Sequence, residues 1–334
     1  MSVRLGINGF GRIGRYLTRL ISQHESEFEI AAVNARASNQ DLAHLLKYDS
    51  VHGRFPGDVY PTDKGIMINN REVPVTRYGK GEWTWAEMGV DIVVDTSGSL
   101  KKRDDLALHI EAGAKKVIMS APIKDGDVTV VMGVNQAMYD PERHDVISAA
   151  SCTTNCLAPV AKVLNEEFGI NHGLITTIHS YTMSQRLLDG SQKDIRRARA
   201  AALSLIPTST GAAQAVGLVI PELKGRMDGI SVRVPTANVS MVDLTCEMEK
   251  EVTAVAVNAA MRRASESYLR DTLGYSDEPL VSVDYNGDTH GGVVDSLSTA
   301  VMDRSMVKML IWYDNEAGFT NQLLRLVRHV GSFM

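Results

Sequence analysis

The sequence has few cysteines and no long apolar run. Three cysteines in 334 residues are an odd and sparse count, which argues against a disulfide framework and for a reducing compartment. No apolar stretch approaches the roughly 18 residues that a membrane span needs. Met1–Arg4 leads directly into a predicted strand rather than a signal peptide. These absences predict a cytoplasmic protein with no membrane partner.

The chain also lacks the charge pattern and the motifs of several common protein classes. The formal net charge is -5, and without a long lysine or arginine run no nucleic-acid partner is expected. No cysteine and histidine grouping has the spacing of metal ligands, and no P-loop motif is present, so no metal site is predicted. A chain of this length predicts two domains, each with its own core.

A glycine-rich turn is present between a strand and a helix near the N-terminus. Val3–Asn8 has the pattern of a short strand, Gly9, Gly11 and Gly14 follow with the spacing G-x-G-x-x-G, and residues 15–21 have helical periodicity. In this context the glycines permit a tight turn, the approach of a pyrophosphate and close packing of helix on strand. The motif predicts dinucleotide binding, and the alternative is a glycine-rich turn in another α/β domain.

The second predicted strand, Phe28–Asn34, ends without the acid that usually bonds the ribose 2′-hydroxyl of NAD. Ala35, Arg36 and Ser38 follow it, and the first acid is Asp41. A cation and a hydroxyl suit a 2′-phosphate, so the loop favours NADP. The alternative is that Arg36 is an ordinary solvated charge.

The alternation of strands and helices predicts an α/β fold whose first domain is a doubly wound Rossmann domain. Further strands are predicted there at 91–95, 116–119, 129–134 and 145–148, with a helix at 103–112. Later predictions are strands at 173–179, 229–233, 239–249 and 307–313, with helices at 252–268 and 319–330. We expect an α+β catalytic domain there, with a mainly antiparallel sheet.

Cys152 lies where a predicted strand ends and a predicted helix, 157–168, is about to begin. The N–H groups and the dipole at a helix N-terminus favour an anion, which for cysteine is the thiolate. Ser151 and Thr153 flank it with hydroxyls suited to an oxyanion or a phosphate. The alternative is a small buried thiol, and Pro159 is expected to kink or restart the helix.

A nucleophilic cysteine needs a base, and His179 is the best placed of the nine histidines. It ends a β-rich run and precedes a long polar stretch, residues 180–201, in which several arginines favour an anion site. Groups near predicted element ends that suit a phosphate are Thr182, Arg197, Thr210, Gly211 and Arg233. A dinucleotide, a thiolate and a phosphate site together indicate aldehyde oxidation through a thiohemiacetal and a thioester, which a second nucleophile intercepts.

Several longer motifs resemble those of phosphorylating glyceraldehyde-3-phosphate dehydrogenases, and the resemblance extends essentially from end to end. The motifs are Ile7–Arg15, Ser151–Cys156, His179–Thr182, Arg196–Arg199, Pro207–Ala213 and Trp312–Glu316. The resemblance implies an enzyme of glycolysis or gluconeogenesis whose partners are a phosphorylated aldehyde and inorganic phosphate.

The resemblance also implies a role for each matching residue. It makes Cys152 the nucleophile and His179 its base and oxyanion partner, and it assigns the substrate phosphate to Thr182 and Arg233. The residues implied for the attacking phosphate are Ser151, Thr153, Arg197, Thr210 and Gly211. Those implied for the cofactor, besides the glycines and Arg36, are Arg12, Ile13, Arg77, Ser120 and Asn315, with Asn315 at the carboxamide.

We expect domains at 1–150 and 151–317, and the resemblance implies that a C-terminal helix, 318–334, returns to the nucleotide domain of a homotetramer. Gly190 and Ser191 are similar to the NADP-using chloroplast type, so we expect dual use of NAD and NADP. Two alternatives remain open. One is erythrose-4-phosphate dehydrogenase, whose relatives usually lose the Tyr-Thr pair that Thr182 completes here. The other is a non-catalytic binding protein of the same fold.

Overall fold

A computed structural model describes residues 2–334, which divide into two compact units. The first unit consists of the chain up to Val130, Gln136–Ala150 and Leu323–Met334. The second consists of Val131–Asn135 and Ser151–Gln322. Each unit is built around its own sheet.

The first unit alternates apolar strands with helices. Its strands are β1 (Val3–Asn8), β2 (Phe28–Asn34), β3 (Tyr48–Asp49), β4 (Gly53–Arg54), β5 (Val59–Pro61), β6 (Gly65–Ile68), β7 (Arg71–Thr76), β8 (Ile92–Asp95), β9 (Lys116–Met119), β10 (Val128–Thr129) and β11 (Val146–Ser148). Its helices are α1 (Arg12–Ile21), α2 (Asn39–Lys47) and α3 (Arg103–Glu111). The side chains of Leu5, Ile7 and Val93 are fully buried, as expected for strands covered on both faces.

The main sheet of this unit has the strand order β10-β11-β9-β8-β1-β2-β7-β6-β5. Neighbours from β10 to β7 pair in parallel, and β5, β6 and β7 form an antiparallel edge. The strand order reverses at β1, which lies between β2 and β8. In such sheets ligands bind at the carboxyl ends of the strands beside this reversal. The doubly wound prediction is confirmed, and Gly9 follows β1 at that edge.

The second unit places helices against a mixed sheet. Its strands are β12 (Ile170–Ser180), β13 (Ile206–Ser209), β14 (Met227–Val234), β15 (Ser240–Met248), β16 (Leu273–Ser276), β17 (Gly292–Met302) and β18 (Met306–Tyr313). Its helices are α4 (Cys152–Phe168), α5 (Ala212–Val219) and α6 (Ala254–Glu266), and helix α7 (Ala317–Gly331) begins in this unit.

The strand order of the second sheet is β13-β14-β12-β15-β18-β17-β16. Its pairs are antiparallel except β12 with β14 and β16 with β17, so the prediction of a mainly antiparallel sheet is confirmed. The parallel pair β12–β14 brings together residues that are far apart in the sequence, and the candidate site depends on it.

One strand prediction is wrong in extent. The strand expected at 129–134 is confined to Val128–Thr129, because the chain turns immediately afterwards. The Val131 N–H donates to the Asn135 side chain (2.8 Å), and the Val134 N–H donates to the Val131 carbonyl (3.1 Å). These turn hydrogen bonds replace the ladder that a longer strand would need.

The expectation that Pro159 restarts the helix is also wrong, because α4 runs from Cys152 to Phe168 with Pro159 inside it. Proline cannot donate to the carbonyl four residues earlier, which belongs to Asn155. That carbonyl oxygen lies against Gly291, where a Cβ atom would approach it to 2.6 Å. Glycine is therefore required at this close approach.

Candidate active site

Cys152 is the first residue of α4, and Ser151 is the N-cap. The Ser151 hydroxyl accepts a hydrogen bond from the Thr154 N–H (3.0 Å), as an N-cap serine typically does. Ala150 has a φ of 57°, a left-handed conformation that is uncommon outside glycine, and the chain turns there into the helix. The prediction that Cys152 lies near a helix N-terminus is confirmed, and the helix begins at Cys152 itself instead of at Leu157.

His179 lies close to the end of β12, with its Nε2 atom 3.4 Å from Cys152 Sγ. Its side chain is only 5% exposed. A sulfur and a ring nitrogen at this distance are within reach of a shared proton. The structure therefore brings together the cysteine and the histidine that the sequence analysis paired.

Arg233 completes this group from the neighbouring strand. In the parallel register of β12 and β14, His179 lies opposite Arg233. Arg233 Nη1 is 2.8 Å from His179 Nδ1 and 3.0 Å from the Ser180 carbonyl oxygen. Its Nε is buried and has no hydrogen-bond partner among residues 2–334. A buried guanidinium N–H without a protein acceptor is well suited to bind an anion.

Burial determines the protonation state of the cysteine and histidine. It raises the pKa of the Cys152 thiol, while the charge of Arg233 and hydrogen bonds from Thr153 lower it to a smaller extent. Burial, and after it the charge of Arg233, lowers the pKa of His179 to about 3. The imidazole is therefore neutral at neutral pH. Burial works against the thiolate that the sequence predicts, and the helix dipole and Arg233 work in its favour.

Brief treatment with iodoacetamide is expected to label Cys152 much faster than the other two cysteines. Cys156 and Cys246 are 0% and 1% exposed, and burial raises the pKa of both thiols. Cys152 is half-buried and has a base at its sulfur. Mass mapping of the cysteine peptides tests this. Equal labelling of Cys152 and Cys156 with activity retained would contradict the assignment.

A second polar group surrounds Arg197, in the connection between β12 and β13. Arg197 Nε donates to the Thr208 hydroxyl (2.9 Å), which in turn donates to Asp194 (2.6 Å). Thr182 shares a hydrogen bond with Ser184 (2.8 Å), and Arg197 Nη1 also reaches the Ser184 hydroxyl at 3.4 Å. Thr182 and Arg197 are therefore linked through Ser184. Thr208 was not predicted as a site residue, although it lies in the motif Pro207–Ala213.

Thr210 and Gly211 lie at the N-terminus of α5. Thr210 Oγ1 accepts a hydrogen bond from the Ala212 N–H (3.2 Å), and Gly211 is the N-cap. Because glycine has no side chain with which to cap, it leaves N–H groups of the first turn open to an acceptor. This local structure suits the phosphate role predicted for both residues.

Tyr313 is a buried member of the site that the sequence analysis did not identify. Its hydroxyl lies 2.9 Å from the Thr153 hydroxyl and 2.8 Å from that of Thr177. The ring stands edge-on to His179 with centroids 5.9 Å apart. The available signal was an aromatic residue inside the quoted Trp312–Glu316 motif. The Thr153 hydroxyl therefore already has a partner in Tyr313. The phosphate contacts predicted for Thr153 and Ser151 remain predictions.

Asn315 is held in place by a short chain of hydrogen bonds. Its Oδ1 accepts from the Ser240 hydroxyl (2.7 Å), and Ser240 Oγ accepts from the Ser180 N–H (3.1 Å). Asn315 is buried, with 7% exposed. Ser180 therefore helps, through Ser240, to orient the side-chain amide of Asn315. The family resemblance places this amide at the carboxamide of the cofactor.

The three fingerprint glycines of the first unit have distinct geometries. Gly9 has a φ of 97°, and a Cβ there would lie 2.6 Å from the Ser97 backbone. At Gly14 a Cβ would lie 2.4 Å from the Gly9 carbonyl oxygen, whereas at Gly11 no described atom lies within 4 Å. Gly11 is the N-cap of α1 and makes no side-chain hydrogen bond. The residues fit a dinucleotide whose pyrophosphate approaches the open start of this helix.

The other predicted cofactor residues of this unit differ in their surroundings. Arg12 forms a two-pronged pair with Asp49 (2.5 and 3.1 Å), a partner that the sequence analysis missed. Ile13 follows Arg12 in the first turn of α1. Ser120 is half-buried and its N–H donates to the Asp95 carbonyl (3.0 Å). Its position after β9 places it at the carboxyl edge of the sheet.

The loop after β2 is more constrained than its sequence suggests. Arg77 Nη2 donates to the Ala37 carbonyl (2.9 Å) and to the Asn39 side chain (2.7 Å), and Arg36 is exposed. Ser38 caps α2: its hydroxyl accepts from the Asp41 N–H (3.1 Å) and contacts the Asp41 carboxylate (2.7 Å). A carboxylate beside this hydroxyl opposes a 2′-phosphate.

Residues 2–334 contain neither a cluster of metal ligands nor a helix suited to crossing a membrane. No group of three or more His, Cys, Asp or Glu side chains is arranged to hold a metal ion. Across the same residues, every helix is too short or too polar to cross a membrane.

Comparison with known proteins gives matches over almost the whole chain. The family model described as the glyceraldehyde 3-phosphate dehydrogenase NAD binding domain matches residues 3–103, and that of the C-terminal domain matches residues 151–315. The chain is 56% identical over 333 residues to the glyceraldehyde-3-phosphate dehydrogenase of Geobacillus stearothermophilus, covering 99% of each chain. It is 54% identical over 331 residues to glyceraldehyde-3-phosphate dehydrogenase 1 of Bacillus subtilis (strain 168), covering 99% of this chain and 98% of the relative.

Proposed function

The chain belongs to the glyceraldehyde-3-phosphate dehydrogenase family, and from this premise we propose that it oxidises and phosphorylates glyceraldehyde 3-phosphate. The products are 1,3-bisphosphoglycerate and NADH or NADPH. The observation that carries the proposal is the 3.4 Å contact between Cys152 Sγ and His179 Nε2. A thiol at a helix N-terminus with a neutral imidazole at its sulfur has the parts needed for covalent aldehyde chemistry.

In this proposal Cys152 attacks the aldehyde carbon while its proton passes to His179 Nε2. The resulting imidazolium N–H then faces the oxyanion of the thiohemiacetal, which it stabilises electrostatically. A bound nicotinamide dinucleotide supplies the hydride acceptor. Loss of hydride leaves a thioester on Cys152, and inorganic phosphate cleaves that thioester and returns the sulfur to its free form.

In this proposal Arg233 and Arg197 bind different phosphate groups. Arg233 and Thr182 bind the substrate phosphate, supported by the unpaired buried Nε of Arg233. Arg197, Thr210 and Gly211 bind the attacking phosphate, supported by the open N-terminus of α5. Charge-assisted hydrogen bonds from a guanidinium fork suit both anions.

Dual use of NAD and NADP is proposed for the cofactor. The glycine geometry accepts either dinucleotide, Ala35 leaves out the acid that would repel a 2′-phosphate, and Arg36 adds a cation. The Asp41 carboxylate at Ser38 opposes this attraction. A balance of this kind gives mixed specificity rather than strict NADP use.

The double substitution Ala35→Asp with Arg36→Leu is expected to lower the NADP-to-NAD ratio of kcat/KM. One partly solvated phosphate contact and one new repulsion set the scale at about ten-fold. Steady-state rates with each cofactor measure the ratio, and Arg71→Leu, a surface arginine on β7 that is half-exposed, is the control. No NADP turnover in the unaltered protein, or an unchanged ratio after the double substitution, would contradict dual use.

An assay that varies aldehyde and phosphate tests the proposed function. Formation of reduced cofactor from glyceraldehyde 3-phosphate is expected to continue beyond one turnover only when inorganic phosphate is present. Faster turnover with erythrose 4-phosphate would favour the alternative dehydrogenase. Cofactor binding without any turnover of either aldehyde would favour a non-catalytic binding protein.

The subunit arrangement is proposed to be a homotetramer, with the first unit as the dinucleotide-binding domain and the second as the catalytic domain. Large apolar side chains in the loop after β12 are exposed in the single chain, among them Met183, Leu187 and Leu203. Exposed apolar residues in such numbers favour a protein interface. Light scattering after gel filtration should give the mass of four chains, and a monomer mass would contradict this arrangement. The cytoplasmic location stays a prediction.

A further inference from the structure

Three polar atoms meet at the inner nitrogen of His179 in an arrangement that no single protonation state satisfies. Nδ1 is 2.7 Å from the Ser180 carbonyl oxygen and 2.8 Å from Arg233 Nη1, and those two atoms are 3.0 Å apart. A carbonyl only accepts hydrogen bonds and a guanidinium only donates them. A proton on Nδ1 satisfies the carbonyl but faces the N–H of Arg233. A bare Nδ1 satisfies Arg233 but faces the lone pairs of the carbonyl.

The protonation of His179 Nδ1 decides whether Nε2, the ring nitrogen nearer Cys152, can accept the thiol proton. A neutral imidazole carries one proton, so a bare Nδ1 requires the proton to be on Nε2. In that tautomer Nε2, 3.4 Å from the sulfur, already carries a proton and cannot take the thiol proton. With the proton on Nδ1 and donated to the Ser180 carbonyl, Nε2 is a bare acceptor directed at the thiol.

We propose that Arg233 is a positioning residue that holds His179 in the inactive Nε2–H tautomer until a phosphate monoester takes the guanidinium away. His179 then exchanges its proton with solvent from Nε2 to Nδ1, with no net gain or loss. The Ser180 carbonyl holds the new N–H, and the thiol proton has an acceptor. The inference rests on the proposed function for naming the phosphate of the substrate as the anion.

The relative strengths of the contacts favour this exchange. Arg233 donates to a neutral ring nitrogen and a neutral carbonyl, whereas a phosphate opposes the guanidinium with a full negative charge and can accept two parallel N–H bonds. Arg233 Nε has no acceptor among residues 2–334, so a phosphate gains that N–H without breaking a bond. The structure therefore supplies both a reason for the guanidinium to move and a new partner for the nitrogen that it leaves.

A purely electrostatic role for Arg233 makes the opposite prediction. Its positive charge stabilises the thiolate, so removing or neutralising that charge should slow the reaction of Cys152 with an alkylating agent. If Arg233 instead keeps His179 from accepting the thiol proton, then removing Arg233, or binding a phosphate to it, should speed the same reaction. The sign of the effect separates the two roles.

The experiment measures alkylation of Cys152 by iodoacetamide at pH 7 without cofactor or aldehyde, using sn-glycerol 3-phosphate as an unreactive probe. In the unaltered protein the probe is expected to raise the second-order rate constant about five-fold or more. Arg233→Met should start at the raised rate and not respond to the probe. Arg263→Met, which removes a surface arginine on α6 with a largely exposed ion pair to Glu167, should keep the response. Imidazole ¹⁵N spectra should show His179 passing from the Nε2–H to the Nδ1–H form on addition of the probe.

Slower alkylation in the presence of the probe would overturn the proposal, as would an unchanged tautomer. The measurement on the unaltered protein decides the sign even if Arg233→Met does not fold. Failure here is distinct from failure of the proposed function, because neither cofactor nor aldehyde is present. Turnover of the phosphorylated aldehyde together with slowed alkylation would leave the function standing and remove the gating role.

Discussion

A Cys152→Ser protein is expected to lose dehydrogenase turnover by about 10⁴-fold or more in kcat, the scale seen when a covalent nucleophile is removed. A serine hydroxyl is a much weaker nucleophile than a thiol at neutral pH and cannot form the thioester that phosphate cleaves. Of the three cysteines, Cys152 is the one whose sulfur is within reach of a base. Steady-state and single-turnover kinetics with glyceraldehyde 3-phosphate measure the loss.

Cys156→Ser is the matched control, since Cys156 lies one turn further along the same helix. Its sulfur is fully buried and contacts the Ile311 carbonyl at 3.9 Å. This variant should keep most of its kcat, although a new buried hydroxyl lowers its stability by about 1 kcal/mol. A comparable loss of kcat in the two variants would contradict the assignment of Cys152 as the nucleophile.

An Arg233→Ala protein is expected to lose about 30- to 1,000-fold in kcat/KM for glyceraldehyde 3-phosphate. Truncating one partner of a buried charge-assisted contact costs about 2–4 kcal/mol, and 1.36 kcal/mol corresponds to ten-fold. Unphosphorylated glyceraldehyde has no phosphate contact to lose. Its kcat/KM is expected to hold or to rise, because His179 is released from the guanidinium.

The ratio of kcat/KM values for the two aldehydes is therefore the informative quantity. Arg263→Ala is the control, since Arg263 is a surface arginine on α6 with a largely exposed ion pair to Glu167, and such pairs contribute little. That variant should leave the ratio unchanged. A parallel fall for both aldehydes in Arg233→Ala would mean that Arg233 supports the fold instead of binding the substrate phosphate.

The parts of the fold and site that depend on short stretches could be predicted from the sequence. The glycine fingerprint, the limits of β1 and β2 and a helix N-terminus close to Cys152 all follow from neighbouring residues. Turn chemistry and periodicity act over a few positions, so one sequence contains enough information to predict them.

The parts that depend on strand pairing could not be predicted. His179 and Arg233 are 54 positions apart, and only the parallel register of β12 and β14 sets them side by side. Tyr313 approaches the site from β18, through a phenol that no local pattern distinguishes from a core residue. The effect of burial on the pKa of the Cys152 thiol could not be predicted for a similar reason, since burial is a property of the packed unit.

The covalent intermediate provides the most direct test of the account. The protein is mixed with glyceraldehyde 3-phosphate and oxidised cofactor in a buffer free of phosphate, quenched in acid and examined by mass spectrometry. We expect one phosphoglyceroyl group per chain on the peptide that contains Cys152. It should form together with one equivalent of reduced cofactor and be released when inorganic phosphate is added. Reduced cofactor formed without an adduct, or an adduct on any other residue, would contradict it.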